Sequence, residues 1–304
     1  MSPPPSGEQH EIRHGEQVAV VTEVGATLRS YAVGTVDVVD GFGVDEPSSA
    51  GRGQVLAPWP NRLDAGRYAF GGVEGRAPID EPERGNAIHG LVRWLPWSVG
   101  SRAADAVSLA TVLHPQPGYP WRLELEIAYR LSSEALRVEV RATNASEVAA
   151  PFGVGFHPYL TVGTPIDGAR LTIPATRRLL TDGRGLPVGE EDVVGTDFDL
   201  RSAGEVGTKQ LDTCFTGLMR DADGRVRARV DAGERGVELW AEEAFGYLQA
   251  FTGDTLEPIA RRREGIAIEP MTCPPNAFAT GTDVITLEPD ATWSAAWGIV
   301  PRRG

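Results

Sequence analysis

Apolar and polar residues alternate along most of this chain. In the first half the pattern is clearest in QVAVVT (17–22), TVDVVD (35–40), AVSLATVL (106–113), LELEIAYRL (123–131) and ALRVEVRAT (135–143). It returns in RLTIPA (170–175), RVRARVD (225–231), GVELWAE (236–242), YLQAF (247–251) and ATWSAAWGIV (291–300). A period of two sends one set of side chains to a core and the other to solvent, which predicts half-buried β-strands. LEIAYRLSSEALRVEV reads as a hairpin turning at Ser132–Ser133. Helical periodicity is almost absent, and 36 glycines and 23 prolines punctuate the chain as turns do in an all-β fold. VDEPSSAGRGQ (44–54) and TDGRGLPVGEED (181–192) are expected to be exposed loops, and the polar, proline-rich residues 1–15 a flexible tail. Strands run on without a long linker or a fixed-period repeat. Residues 16–304 are therefore expected to form a single domain, a large antiparallel β-sandwich.

Composition narrows the function classes. The chain has 304 residues, 41% of them apolar, which is ample for one large core. Its formal charge of −13 repels phosphate backbones and anionic bilayers, so neither a nucleic-acid nor a membrane partner is expected. Two cysteines, Cys214 and Cys273, make neither a disulfide framework nor a zinc ribbon, and fit reduced cytoplasmic thiols. MSPPPSGEQHE carries no positive leader and no apolar stretch, and no run approaches the roughly 18 apolar residues of a membrane span. The expectation is a soluble, cytoplasmic protein.

Five short stretches break the alternation, each placing a reactive side chain among prolines, glycines and aromatics. LAPWPNRL (56–63) carries Arg62, either a surface cation on a tryptophan or a fixed donor to a ligand oxygen. NAIHGLVRW (86–94) carries His89, which could equally be a hydrogen-bonded core residue. FGVGFHPYL (152–160) puts His157 before Pro158, which favours an extended residue at a strand end. LDTCFTGL (211–218) carries Asp212, a commonplace turn opener. GIAIEPMTCPPNAF (265–278) ends a small strand at Glu269 and then stiffens the chain with Pro270, Pro274 and Pro275. Carboxylates are rarely buried unpaired, so Glu269 should face a cleft or an arginine.

Together these stretches resemble the aldose 1-epimerase (galactose mutarotase) family. The likeness rests on PWPNRLDAGRYAF (58–70), NAIHGLVRWLPW (86–97), GFHPY (155–159), LDTCFTGL and EPMTCPPNAF (269–278), in that order. Leu211 stands where many members carry a second acidic residue. The resemblance implies a galactose mutarotase-like supersandwich with an open cleft across one sheet. It implies Glu269 as general base and His157 as general acid, with Arg62, His89 and Asp212 positioning a small aldose. It implies no cofactor and no metal; a monomer or homodimer is expected. Other classes stay open. The same side chains could ligate a metal, Asp212 and Glu269 could form a glycosidase pair, and the fold could serve as a non-catalytic sugar-binding module. A hexose-phosphate epimerase of similar fold would need extra cations, which Arg261, Arg262 and Arg263 could supply.

Overall fold

A computed structural model describes residues 3–303. Two large antiparallel sheets dominate it. The nine-stranded sheet runs in the order Ser98–Arg102, Ala106–Leu113, Leu123–Leu131, Leu136–Asn144, Thr292–Arg303, Arg235–Ala241, Val226–Ala232, Arg170–Thr172 and Gly204–Glu205. The eight-stranded sheet runs Pro187–Asp192, Ala175–Thr181, Asp212–Leu218, Tyr247–Phe251, Ile266–Met271, Gly155–Phe156 and Val55–Leu56. Its eighth strand, Tyr159–Leu160, also pairs with Ile266–Met271. The inner faces meet in one apolar core that takes Val138, Val140 and Trp297 from the larger sheet and Phe156, Phe215, Leu248, Ile266 and Ile268 from the smaller. Phe156 meets Trp297 directly, ring centroids 5.1 Å apart, so the layers touch through aromatic contact. The only α-helical segment among the described residues is Ala277–Thr280, and no helix there is long and apolar enough to cross a membrane.

The alternating segments become strands. AVSLATVL, LELEIAYRL and YLQAF match their strands end to end, and Ser132–Ser133 joins the long hairpin in the register Leu131↔Leu136. Four expectations need correction. Residues 1–15 are not a loose tail throughout: Gln9–His14 is a strand paired along its length with Gln17–Thr22. QHEIRH has only one apolar residue, but Ile12 and His10 are both buried on the same face, which anchors the strand. Met1 and Ser2 of that segment lie outside the described residues. Within 181–192, Pro187–Asp192 is an edge strand paired with Ala175–Thr181. Its side chains are mostly exposed, so its sequence carries no alternation, and its charges suit a sheet edge that must not recruit another strand. In 44–54, Gly51–Gln54 is buried rather than exposed. TVDVVD also contributes little, since only Val36–Asp37 is a strand there.

The smaller sheet's strands show how the fold builds an outer face. Along Ile266–Met271, Ile266 and Ile268 enter the main core, while Ala267 and Met271 belong to separate small apolar groups on the other side. Strand alternation therefore sends Glu269 outward. The same count on Tyr247–Phe251 sends Gln249 outward, directly opposite Glu269 in register, and Cys214 lies opposite Gln249 on the next strand.

Candidate active site

That outer face floors a cleft of about 530 Å³. All five residues singled out from the sequence, Arg62, His89, His157, Asp212 and Glu269, line it. Glu269 is not at a strand end as expected. The strand continues through Pro270 to Met271. Proline is tolerated there because Ile268 N–H bonds Pro158 O on the neighbouring segment, and position 270 faces the same side, where His157–Pro158 interrupts the partner strand. The absent N–H of Pro270 thus falls at a gap in the ladder. The same gap holds His157 between Gly155–Phe156 and Tyr159–Leu160.

His157 Nε2 lies 3.4 Å from Glu269 Oε1, and both side chains are almost wholly buried. Burial raises the Glu269 carboxyl well above its ordinary value; the Asp212 charge adds to this and Arg62 opposes it. Burial also lowers His157 to about 3, against a smaller pull from its own main-chain carbonyl, with Arg52 and Arg93 lowering it further. Burial therefore disfavours the ionised carboxylate and the imidazolium alike. Glu269 Oε2 has no hydrogen-bond partner among the described residues, which leaves it free for a ligand.

His89 has φ 62°, in the left-handed region. The strained backbone lets its N–H donate to Asn61 O at 2.9 Å while its Nδ1 accepts the Asn61 N–H at 3.2 Å. An Nδ1 that accepts puts the ring proton on Nε2, so a neutral His89 is a donor there. Burial holds it well below the ordinary histidine range, helped by His157, Arg93 and Arg62. Stability follows from the sign of these shifts. Below pH 6.5 the unfolded His89 binds a proton that the folded one refuses, so stability falls as pH falls. His89→Asn should therefore flatten the stability–pH line in that range by up to about 1.4 kcal/mol per pH unit. Urea unfolding at pH 5, 6 and 7 measures it.

Arg62 is fixed by a two-oxygen contact to Glu81, at 3.1 and 3.0 Å, and approaches Asp212 Oδ2 at 3.6 Å. Asp212 accepts the Gln249 amide at 2.6 Å, which ties it to the residue opposite Glu269. Asp212 opens a strand rather than a turn. Gln249 and Glu81 escaped sequence reading. Gln249 could have been found as the polar centre of YLQAF on the face away from the core; Glu81 sits in a loop with no local pattern. Arg261, Arg262 and Arg263 do not line the cleft. Arg261 binds Asp40 and Gly41 O, Arg262 binds Glu257 and Leu256 O, and Arg263 binds Asp167 and Asp254. Among the described residues no group of three or more His, Cys, Asp or Glu side chains could hold a metal ion.

Known proteins share both the sequence and the shape. The model of the family described as aldose 1-epimerase matches residues 8–299. The chain belongs to the aldose 1-epimerase family. It is 32% identical over 285 residues to the uncharacterized protein YihR of Escherichia coli K12, covering 93% of this chain and 90% of that one. It is 28% identical to the galactose mutarotase of Mus musculus, covering 86% and 83% respectively. Two solved structures share the aldose 1-epimerase fold. Galactose 1-epimerase from Lactobacillus acidophilus superposes with a TM-score of 0.83 at 20% identity, over 100% of this chain and 97% of that one. An aldose epimerase homologue from C. elegans superposes with a TM-score of 0.86 at 18% identity, over 97% and 99%.

Proposed function

We propose that this epimerase interconverts the α and β anomers of a free, uncharged aldose such as glucose or galactose, with Glu269 and His157 moving the protons. The observation that carries the reading is the 3.4 Å contact between His157 Nε2 and Glu269 Oε1 on the floor of the cleft. Ring opening takes a proton from the C1 hydroxyl and gives one to the ring oxygen. Both oxygens are bonded to C1, so the two groups that serve them must sit side by side. In this reading the pair works with one proton between its two members. Transfer from Glu269 to His157 makes the carboxylate the base for the C1 hydroxyl and the imidazolium the acid for the ring oxygen, with no change in net charge. Arg62 favours that carboxylate. Closing the ring on the other face of C1 returns both protons, so no cofactor is consumed.

The cleft's charges favour a neutral sugar over a phosphorylated one. It is lined by six acids, Asp80, Glu81, Glu83, Asp212, Glu257 and Glu269, against Arg62, Arg84 and Arg93. Each of those arginines already contacts a carboxylate. Polarimetry on freshly dissolved α-glucose and α-galactose, beside glucose 6-phosphate, tests the reading. Faster equilibration of a free sugar is expected, and no acceleration with any free aldose would overturn it. Arg62→Ala should raise KM about tenfold or more, with a smaller fall in kcat, since it removes charge-assisted hydrogen bonds of about 1.5–3 kcal/mol. Initial rates against sugar concentration separate the two constants.

A further inference from the structure

His157 lacks the usual device for orienting a catalytic imidazole. Its Nδ1 is buried and makes no well-formed hydrogen bond among the described residues; only its own main-chain carbonyl lies close to the ring, and no carboxylate or carbonyl from another residue fixes it from the far side. The ring instead lies nearly parallel to Tyr159, centroids 5.1 Å apart and planes 14° from each other. Tyr159 is itself held on several sides. Its hydroxyl donates to Ala50 O at 3.0 Å, Phe251 meets it edge-on at 6.4 Å, and the Arg52 guanidinium lies over its ring, Cζ 4.4 Å from the centroid.

Arg52 does not line the cleft, and its side chain is only 3% exposed. It is anchored by Nε to Asp40 O at 2.9 Å and by Nη2 to Asp40 Oδ2 at 3.1 Å. Arg261 closes the other side of Asp40 at 2.8 Å. The segment bearing Arg52 also grips the backbone of His157: Gly53 N–H donates to His157 O at 2.9 Å, and His157 N–H donates to Gln54 O at 3.1 Å. A buried guanidinium costs several kcal/mol to desolvate, and packing alone would be met by an apolar side chain.

We propose that Arg52 is a positioning residue for His157: it fixes Tyr159, and the Tyr159 ring, in place of a hydrogen-bonded third group, fixes the imidazole against Glu269. This rests on the mutarotase reading for its catalytic consequence, but the stack can be read without any activity.

Two measurements on Arg52→Met, Arg52→Lys and wild type test it. One is the proton–proton cross-peaks between the Tyr159 and His157 rings, assigned with His157→Asn. The other is kcat and KM by polarimetry. In Arg52→Met, where Asp40 keeps Arg261, the cross-peaks should weaken and kcat should fall about tenfold or more, with KM within about twofold. Arg52→Lys should fall between Met and wild type in both. Intact cross-peaks in Arg52→Met would overturn the proposal, as would an unchanged kcat or a loss confined to KM. If Arg52→Met does not fold, Tyr159→Leu removes the platform while leaving the ion pair, and an unchanged kcat there would overturn it too. If wild type accelerates no aldose, the functional reading fails, and the cross-peaks alone decide the role of Arg52.

Discussion

Glu269→Gln and His157→Asn are each expected to slow mutarotation by about 10²–10⁴-fold while the sandwich stays folded. The glutamine amide would keep the size of the carboxyl but could neither give nor take a proton as the acid does. The asparagine amide would keep a polar group near the position of the ring nitrogens but could not titrate. The fold should survive, because burial disfavours the charged form of Glu269 and a neutral amide of the same size introduces no new charge beside His157. Since the two groups act as one proton-carrying unit, the double variant should be little worse than either single one. Polarimetry gives the rates, and thermal melts show that the fold is retained. A single variant within a few-fold of wild type would remove that residue from the chemistry.

Gly51→Ala is expected to lower kcat by about 10²-fold without replacing a group that reacts. Gly51 has φ +73°, which an alanine adopts only at a cost of about 1–2 kcal/mol. Its missing side chain matters more. A Cβ built there falls 2.4 Å from His157 Cδ2 and 2.9 Å from Nε2, so the imidazole must move away from its place against Glu269. Gly195→Ala is the matched control, since Gly195 has φ +76° and an added Cβ there meets nothing within 4 Å. Near-wild-type kcat in a folded Gly51→Ala would mean that the imidazole tolerates displacement.

The sequence showed the strands that are polar on one side and apolar on the other, because burial on one face writes itself as alternation. It hid the strands made of two or three residues beside the cleft, such as Val55–Leu56 and Gly155–Phe156, which are too short for any period to register. It hid Asp212–Leu218 because DTCFTGL opens on a residue that also opens turns. The five candidate side chains were visible because each interrupts an apolar or proline-rich stretch. What could not be seen was their company. Gln249 reaches Asp212 only through strand register, and Arg52 reaches His157 only through Tyr159, relations that no local motif encodes. Nor could the titration of the pair be read from sequence, since ordinary values hold for solvated groups and these two are buried.

The placement of the reacting pair makes insertions and deletions unequal in their consequences. One extra residue within Ile266–Met271 before position 269 would turn the glutamate toward the interior and an isoleucine toward the sugar. Residues 80–84 and 255–257 wall the same cleft from connecting segments, where added length costs little. On the proposed mutarotase reading, descendants of this chain can acquire a taste for different sugars by remodelling those walls, while the floor that carries Glu269 passes unchanged from one to the next.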